Sequence, residues 1–599
     1  MISQNVSSET FHSQEAARSQ SRSHGGDLVA GVLKSQGVKR LYTLCGGHIS
    51  PILTASDARS IQVIDCRHEA SAAFAADAEA RLTGIPGVVA VTAGPGITNT
   101  ITALKNAEMA QSPLVLLGGA AATLLKGRGA LQDIEQLALL KPLVKWSVSV
   151  KRVKDIIPSL EKAFFKAQEG VPGPVFVELP IDLLYPYDIV KTWSLDAIKG
   201  KSLAARGMRF YLSQHLKRVF AQAFTGKVSQ VKTAQTQGLV AGQLAQFAYY
   251  LSQAKKPAMI LGSQTMLAAS QVSALQEAVQ TLGIPVFLSG MARGLLGREE
   301  MSALHIRHNR SKALREADTV ILAGVPCDFR LGYGQAISRK ATLIGINRSQ
   351  KDLKLNRKPK LPLLADPARA LIQLAKHHPL PKENWQGWLE SLQAGDRARD
   401  EAIGLQGEEV LEGVNPVYVC ERLEHHLSPQ SIIVGDGGDF VATASYILRP
   451  RKPLSWLDPG AFGTLGAGGG FALAAKASHP DQEVWLLYGD GSCGYSLAEF
   501  DTMTRHNLPV IAIIGNDGGW TQIAREQVEI LGTALGTELK QNNYHEVAQG
   551  YGAVGLCVSQ KEQLDSALIE AKRLAKEGKS VVINVMLGKS DFRKGSISM

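Results

Sequence analysis

The feature that most constrains this chain is a pair of apolar runs that each end abruptly in a cluster of Gly, Asp and Asn. Residues 483–491 read EVWLLYGDG, and residues 509–517 read PVIAIIGND. Uninterrupted Val, Ile and Leu runs of this length indicate strands buried on both faces, as in a parallel sheet covered by helices. In such sheets ligands bind beyond the carboxyl ends of the strands, which is where Asp490 and Asp517 fall. The two carboxylates are therefore candidates for one site.

Carboxylates and glycines at neighbouring strand ends suit a hard cation that holds a diphosphate. Magnesium takes oxygen ligands and commonly shares its coordination shell with phosphates. The backbone N–H groups of Gly491 and Ser492, at the start of the following helix, would favour the phosphate charge. Either turn alone is also compatible with ordinary turn chemistry, because Gly and Asp follow many strands.

The size and composition of the chain indicate a multidomain globular protein. Its 599 residues are too many for one hydrophobic core and imply about three or four domains. Hydrophobic residues make up 45% and charged residues 20%, which is ordinary for a soluble protein. The net charge of +11 suits anionic ligands, but no block of Lys and Arg predicts a nucleic-acid interface.

Cysteine usage and the absence of long apolar runs predict the compartment. The six cysteines are scattered without a CxxC pair, which favours a reducing environment, and we expect a cytoplasmic protein. No apolar run reaches about 18 residues, so no transmembrane span is predicted. Residues 1–24 are rich in Ser and Gln and lack the apolar core of a secretory signal, and we interpret them as a disordered tail.

Strand-like and helix-like segments alternate along the rest of the chain. This pattern predicts an α/β fold with three doubly wound, mostly parallel sheets, in domains spanning residues 25–190, 236–380 and 400–599. Residues 191–235 are a predicted linker in which apolar residues recur at helical spacing among several Lys and Arg residues. We favour a basic amphipathic helix packed between domains, and a helix on a membrane surface is the functional alternative.

Further candidate segments lie at predicted strand ends. Residues 67–70 read RHEA after a strand-like VID, so Glu69 opens a helix, where the helix dipole favours any carboxylate. Residues 460–470 read GAFGTLGAGGG and lead into an Ala-rich helix, while residues 435–439 read GDGGD after a strand-like SIIV. Bare Gly-rich loops are weak signals by themselves.

Two polar residues narrow the chemistry. His48 lies in GGHIS at the end of a predicted strand, and Gln132 lies in ALQ on the loop after the strand LVLL. A lone His or Gln is more often structural than catalytic. A neutral imidazole nevertheless suits proton transfer, because its pKa lies near the operating pH.

Together these motifs resemble those of the thiamine diphosphate (ThDP)-dependent enzymes. The resemblance covers the chain from about Gly25 onward. It extends to the acetolactate synthase-like and 2-hydroxyacyl-CoA lyase group, and to benzaldehyde lyase through GGHIS, RHEA and the stretch GDGSCGYSLAEFDT. It implies that the three predicted domains are, in order, a pyrimidine-binding, a central and a diphosphate-binding domain.

The resemblance assigns the diphosphate side of the site. It implies magnesium ligands at Asp490, at Asp517 and at the backbone carbonyl of Gly519. The family usually has Asn at the position of Asp517, so the site of this chain is more negative. Five further residues correspond to positions around the diphosphate: Gly437, Gly438, Asp439, Gly491 and Ser492.

The resemblance also assigns residues around the reacting rings of the cofactor. Glu69 corresponds to the glutamate that faces N1′ of the aminopyrimidine and promotes removal of the thiazolium C2 proton. Leu465 corresponds to the apolar residue that forces the bent cofactor shape, and the Gly463 carbonyl would accept the 4′-amino proton. His48 and Gln132 correspond to the residues that handle the hydroxyl proton in benzaldehyde lyase.

The activity implied is a ThDP- and magnesium-dependent lyase that cleaves a 2-hydroxyacyl-CoA to an aldehyde and formyl-CoA. An acetolactate synthase acting on pyruvate and other 2-oxoacids is the main alternative, although GALQD at 129–133 departs from the synthases' DAFQE-like stretch. A benzaldehyde lyase-like acyloin lyase or carboligase is the second alternative. A catalytically inactive scaffold subunit is disfavoured by the presence of Glu69 and Asp490. The acyl chain length and the requirement for CoA stay open.

The expected partners are a small-molecule substrate and further copies of the chain. The family arrangement implies a homodimer or homotetramer whose active site lies between the pyrimidine-binding domain of one subunit and the diphosphate-binding domain of another. Arg330 in DFRL retains part of the pattern with which the synthases contact FAD. The central domain is therefore a candidate FAD site without a role in catalysis.

Overall fold

Three sheets organise the chain, and every pairing between their strands is parallel. The computed structural model describes residues 23–196, 198–231, 236–297 and 300–595. The predicted α/β class with three parallel sheets is confirmed. The predicted tail, except for its last two residues, lies outside the described residues, as do parts of the predicted linker. No helix in the described ranges is long and apolar enough to cross a membrane.

The first sheet contains six strands: β1 (Arg40–Thr43), β2 (Gln62–Asp65), β3 (Gly87–Val91), β4 (Leu114–Ala120), β5 (Trp146–Ser149) and β6 (Pro174–Pro180). The helices of this part of the chain are α1 (Gly25–Ser35), α2 (Ser50–Asp57), α3 (Glu69–Thr83), α4 (Pro95–Thr98), α5 (Ile101–Met109), α6 (Gln136–Leu140), α7 (Ile156–Gln168), α8 (Ile181–Leu184), α9 (Tyr187–Asp196) and α10 (Leu203–Val219). The strand order is β2-β1-β3-β4-β6-β5.

The middle sheet contains five strands: β7 (Pro257–Leu261), β8 (Val286–Leu288), β9 (Thr319–Ala323), β10 (Thr342–Asn347) and β11 (Leu361–Leu364). Its helices are α11 (Ala241–Ser252), α12 (Val272–Leu282), α13 (Arg310–Glu316), α14 (Gln350–Leu353) and α15 (Pro367–His377), and α16 (Gln386–Gly407) leads to the third sheet. The strand order is β11-β10-β9-β7-β8.

The third sheet contains six strands: β12 (Ile432–Gly435), β13 (Trp456–Leu457), β14 (Val484–Gly489), β15 (Ile511–Asn516), β16 (Val554–Val558) and β17 (Val581–Met586). Its helices are α17 (Pro416–His426), α18 (Asp439–Ile447), α19 (Gly468–Ser478), α20 (Asp490–Cys493), α21 (Glu499–Arg505), α22 (Thr521–Leu531), α23 (Tyr544–Gly550) and α24 (Leu564–Lys576). The strand order is β13-β12-β14-β15-β17-β16.

The first and third sheets have the same topology. Numbered within each sheet, both follow the order second, first, third, fourth, sixth, fifth. Their central strands are fully buried, as expected for parallel strands covered by helices on both faces. The shared order agrees with duplication of one α/β unit.

The strands that the sequence pattern does not identify lie mostly at sheet edges. β5 and β16 are largely half-buried, and β11 alternates between buried and exposed residues, so none of them presents a continuous buried run. The two-residue β13 is too short to show a pattern. β17 is a buried apolar run that the pattern alone could have identified.

Helices α3 and α19 join the first and third domains. The rings of Phe74 and Phe471 meet edge to face with centroids 5.9 Å apart. A Cβ at Gly470 would clash with the backbone oxygen of Ser71, so glycine is required for this close approach of the helices. The α3–α19 contact fixes the ends of the two sheets relative to each other.

Candidate active site

Glu69 is the first residue of α3 and follows β2 by a short turn. His68 caps the helix, because its Nδ1 accepts a hydrogen bond from Ala70 N at 3.0 Å. The Glu69 side chain is buried, and its Oε2 accepts a hydrogen bond from Asn99 Nδ2 at 3.0 Å. The positive end of the helix dipole also stabilises a carboxylate here. The structure therefore holds Glu69 in a defined, largely dry position.

His48 lies in the loop after β1. Its Nδ1 is 3.0 Å from Thr92 Oγ1, and partial burial lowers the pKa of the imidazole below its ordinary value of 6.5. The ring is consequently neutral at pH 7. A Cβ at Gly119 would clash with the Cβ of His48, so glycine lets β4 pass close to the imidazole.

Gln132 lies on the loop that follows β4. It has a left-handed backbone with φ of +61°, and a Cβ at Gly94 would lie 2.8 Å from the Gln132 carbonyl oxygen. Gly94 is two residues beyond Thr92, the partner of His48. The structure thus brings His48 and Gln132 to the same short segment after β3.

A buried polar tether holds this loop. Gln136 Oε1 accepts a hydrogen bond from Gly94 N at 2.9 Å, while its Nε2 donates to Gly119 O at 3.1 Å and to Glu178 Oε1 at 2.9 Å. Glu178 is fully buried, and Lys126 Nζ donates to its other oxygen at 2.5 Å. Sequence reasoning missed this tether. The available signal was a single charge within the apolar strand PVFVELP.

The three predicted metal ligands lie together at the ends of β14 and β15. The carboxylate of Asp490 accepts hydrogen bonds from Gly491 N at 2.8 Å and from Gly519 N at 3.0 Å. Burial, and secondly the charge of Asp517, raise the pKa of Asp490 to about 6. Burial also raises the pKa of Asp517. Two carboxylates disfavour each other's charge at this point.

This donor set fits a hard divalent cation. A cation between Asp490 and Asp517 would relieve the repulsion that raises the pKa of Asp490. Within the described ranges no group of three His, Cys, Asp or Glu side chains could hold a metal, so further oxygens have to come from the backbone or a bound phosphate. Magnesium is commonly held in this way.

The loop before α18 meets the same strand ends. Ser492 Oγ donates a hydrogen bond to the Gly437 carbonyl at 2.9 Å, and Gly438 has φ of +104°, which favours glycine. The carboxylate of Asp439 accepts two hydrogen bonds from Arg525, at 3.0 and 2.8 Å. Arg525 neutralises the Asp439 charge, which leaves the positive end of α18 available to an anion.

Leu465 packs over this loop. A Cβ at Gly437 would clash with Leu465 Cδ2, so the leucine side chain lies directly against the segment before α18. Gly463 has φ of +64°, and no atom lies within 4 Å of the position where its Cβ would be. Gly463, the residue of the predicted carbonyl acceptor, therefore has open space where a side chain would lie.

The carboxylate of Asp436 clamps the Leu465 loop, which sequence reasoning also missed. Its Oδ1 accepts a hydrogen bond from Gly466 N at 2.9 Å, and its Oδ2 accepts one from Gly468 N at 2.7 Å. Burial raises the pKa of Asp436 to about 7, and these two bonds oppose that effect. Asp436 lies in GDGGD, and sequence reasoning did not single it out because Gly and Asp are also typical of ordinary turns.

Glu499 connects the two halves of the site residues within one chain. It lies in α21, and both of its oxygens are 3.1 Å from Arg67 N, two residues before Glu69. Thr502 Oγ1 donates to Glu499 Oε2 at 2.8 Å. Among the described site residues, no hydrogen bond joins Glu69 directly to Leu465 or Asp490. Within one subunit, Glu499 therefore links the turn at residues 67–69 to the third domain.

Three domain families match the chain in an order that follows the three sheets. The thiamine pyrophosphate enzyme N-terminal TPP binding domain matches residues 23–139, the central domain residues 244–374, and the C-terminal TPP binding domain residues 436–585. A 2-hydroxyacyl-CoA lyase 2 from Danio rerio is 49% identical over 98% of this chain and 95% of its own length. The chain belongs to the thiamine pyrophosphate enzymes.

Two other similar proteins mark the breadth of this relationship. The 2-hydroxyacyl-CoA lyase 2 from Homo sapiens is 48% identical over 96% of this chain and 92% of its own length. The acetolactate synthase large subunit IlvG from Mycobacterium tuberculosis is 33% identical over 94% and 95%. The protein is therefore a ThDP-dependent enzyme, and the predicted family and its cofactor are confirmed.

Proposed function

We propose that this ThDP enzyme cleaves a 2-hydroxyacyl-CoA between C1 and C2, releasing an aldehyde and formyl-CoA. The observation that carries the proposal is a cationic cavity of about 610 Å³ between the middle and third sheets. Among its described lining residues, Asp396 is the one acidic side chain. Seven Lys and Arg side chains line it: Arg293, Arg307, Arg310, Lys312, Arg315, Arg449 and Arg593.

The positive charge of the cavity is only partly neutralised. Arg307 and Arg449 share one carboxylate, Asp400, at 3.1 and 2.5 Å. Burial, and then the charges of Arg307, Arg293 and Arg449, lower the pKa of His305 to about 3. Coenzyme A presents a diphosphate and a 3′-phosphate, which complement such a cavity. Pyruvate carries one carboxylate and needs no comparable space, so the cavity favours a CoA thioester over a 2-oxoacid.

Helix α18 connects this cavity to the diphosphate loop. The helix begins at Asp439, while Ser445 and Tyr446 line the cavity, about 9 Å further along the helix axis. Arg593 lines the cavity and also lies in the electrostatic field of Asp439. With its nucleotide in the cavity, a CoA thioester can extend its pantetheine arm along α18 towards the strand ends.

The side chains near β3 supply the proton transfers. When bound, ThDP supplies the carbon nucleophile for the thioester carbonyl and the electron sink for the C1–C2 bond. With the cofactor bound, Glu69 would hold the proton at N1′ of the aminopyrimidine. In this proposal Nδ1–H of His48 donates to Thr92 Oγ1, which leaves Nε2 to accept the 2-hydroxyl proton, and the Gln132 amide orients that hydroxyl. Release of C2 as an aldehyde and return of the proton to C1 balance the reaction.

The diphosphate side would hold the cofactor through a magnesium ion. Asp490, Asp517 and the carbonyl of Gly519 are the proposed ligands, and the raised pKa values of the two carboxylates support a cation there. The reaction changes no net oxidation state, so we assign FAD no role in catalysis. Arg330, the candidate flavin contact, donates to Asp328 at 2.6 Å.

The active unit in this proposal is a cytoplasmic homodimer or homotetramer. The arrangement implied by the family resemblance, with the pyrimidine-binding domain of one subunit facing the diphosphate-binding domain of another, supports a site completed by a second subunit. Leu131, next to Gln132, is 81% exposed, and an exposed leucine on a catalytic loop supports a subunit contact. Closed symmetric assemblies of this kind are common among soluble enzymes.

Product analysis tests the proposal. The purified enzyme, with ThDP and magnesium, receives a 2-hydroxyacyl-CoA or pyruvate in parallel, and mass spectrometry identifies the products. We expect an aldehyde and formyl-CoA from the thioester, and neither from Glu69→Gln. The acetolactate synthase alternative is supported by the 33% identity to the M. tuberculosis relative. Acetolactate from pyruvate, without cleavage of the thioester, would refute the lyase.

A further inference from the structure

The segment between the first and middle sheets concentrates the positive charge of the chain. Residues 198–231 contain no Asp or Glu and seven basic residues: Lys199, Lys201, Arg206, Arg209, Lys217, Arg218 and Lys227. All of these except the half-buried Arg209 are exposed. About 34 residues therefore carry +7 of the net charge of +11, and this segment does not take part in the reaction proposed above.

Helix α10, which lies in this segment, is apolar on both its inner and its outer face. Ala205, Leu216 and Val219 are buried, and Val219 belongs to the core of the first domain. On the opposite side, Leu203 is 86% exposed and Phe210 is 67% exposed, and the spacing of seven residues places both on one stripe. Packing on the first domain accounts for the inner face and leaves the outer face without an explanation.

Helix α10 directly, and the neighbouring α9 through Tyr185, contact the loops that carry the proposed proton-transfer residues. His215 Nε2 in α10 is 3.2 Å from Thr123 Oγ1, in the loop that carries the catalytic glutamine. The Tyr185 hydroxyl donates to the carbonyl of Gly47, the neighbour of the catalytic histidine, at 2.9 Å. The half-exposed Trp193 in α9 packs on Tyr185, with ring centroids 5.0 Å apart. Anything bound to this surface is therefore close to the active site.

We propose that the outer surface of α9 and α10 docks this enzyme on an anionic lipid bilayer. Leu203, Phe210 and Trp193 would lie among the headgroups, and the surrounding Lys and Arg side chains would contact the lipid phosphates. Exposed aromatic and aliphatic side chains among basic residues bind membrane interfaces. A second copy of this surface is a poor partner, since two net positive faces repel each other: α9 and α10 together carry five Lys and Arg residues against Asp188 and Asp196. A nucleic acid would use the charge but would leave the apolar stripe uncovered.

Vesicle sedimentation with the holoenzyme tests this surface. We expect binding to phosphatidylcholine vesicles that contain about 30% phosphatidylglycerol, weaker binding to pure phosphatidylcholine, and release by salt. At about 1 kcal/mol for each basic residue, Lys217→Gln with Arg218→Gln should lower the partition coefficient roughly 30-fold. Phe210→Ser should also lower the partition coefficient, since the Phe210 side chain inserts among the lipid headgroups.

Arg339→Gln with Lys340→Gln is the matched control, because these adjacent exposed cations lie in the middle domain. We expect this control to bind vesicles like the wild type. Equal binding of the wild type to neutral and anionic vesicles would overturn the proposal, and so would equal losses in the two double variants. A change of oligomeric state in Lys217→Gln with Arg218→Gln, measured by sedimentation velocity, would instead identify a subunit contact and also overturn it.

Discussion

Replacement of Asp436 by Asn tests whether this buried carboxylate positions the Leu465 loop. The carboxylate accepts hydrogen bonds from the backbone N–H groups of Gly466 and Gly468. An Asn side chain of the same shape keeps one accepting oxygen and turns its NH2 group towards the other N–H. Above about pH 7, where the Asp436 carboxyl is ionised, a lost bond to this charged group costs about 1.5–3 kcal/mol. If the loop holds the cofactor in its reactive shape, kcat should fall roughly 10- to 100-fold.

Replacement of Asp436 by Asn should lower kcat but raise the stability relative to the wild type as the pH rises. Burial raises the pKa of Asp436 from 3.8 to about 7, so the folded protein retains a proton that the unfolded chain releases. Stability is therefore lost as the pH rises from about 4 to about 7. At about 1.4 kcal/mol per pH unit, this cost reaches about 4 kcal/mol. Asn carries no such cost, so the variant should gain stability relative to the wild type as the pH rises.

Steady-state kinetics and thermal unfolding between about pH 5 and pH 8 measure both effects. Asp481→Asn, an exposed carboxylate in the same domain, is the matched control and should change neither quantity. A double-mutant cycle with Leu465→Ala shows whether Asp436 acts through the loop, because coupled residues give non-additive effects. A wild-type kcat in Asp436→Asn, or strictly additive effects in the cycle, would refute the positioning role.

Four further outcomes are expected. Glu69→Gln should lower turnover at least roughly 100-fold while ThDP still raises the melting temperature, which separates proton transfer from binding. His48→Ala should slow thioester cleavage roughly 100-fold. Burial lowers the pKa of His48 below 6.5, so the loss of wild-type activity caused by protonation of His48 should occur below pH 6.5. Lys312→Gln with Arg315→Gln should raise KM for the CoA thioester at least roughly tenfold and leave kcat unchanged, since one charged contact is worth about 1.5–3 kcal/mol. Chelation of divalent ions should abolish the thermal stabilisation by ThDP, and Asp490→Asn should weaken it in the presence of magnesium.

The sequence was most informative where a buried central strand meets a turn. The apolar runs before Asp490 and Asp517 predicted β14 and β15, because strands covered on both faces have to be continuously apolar. The edge strands β5 and β11 escaped detection, because β5 (WSVS) alternates apolar and polar residues while β11 (LPLL) is only four residues long and contains a proline. The same reasoning explains why the fold class was predictable while the number of strands was not.

The site residues divide in a similar way. Glu69, His48 and Asp490 each lie in a short motif, and their family resemblance could be read without a structure. Glu178 and Asp436 could not be identified, since each acts on groups about 30 or more residues away along the chain. The cationic cavity is a further case, because its lining side chains come from segments spread between residues 287 and 593.

The sequence by itself determined the family, the cofactor and the α/β class, because these depend on local patterns of apolar runs, glycines and acidic residues. Only the tertiary structure decided which carboxylate holds the Leu465 loop, which tether fixes the Gln132 loop and where the partly neutralised arginines of the cationic cavity converge. Burial, charge proximity and hydrogen bonding act through space between segments that are distant in sequence. A linear pattern therefore records the residue types of these contacts but not their partners.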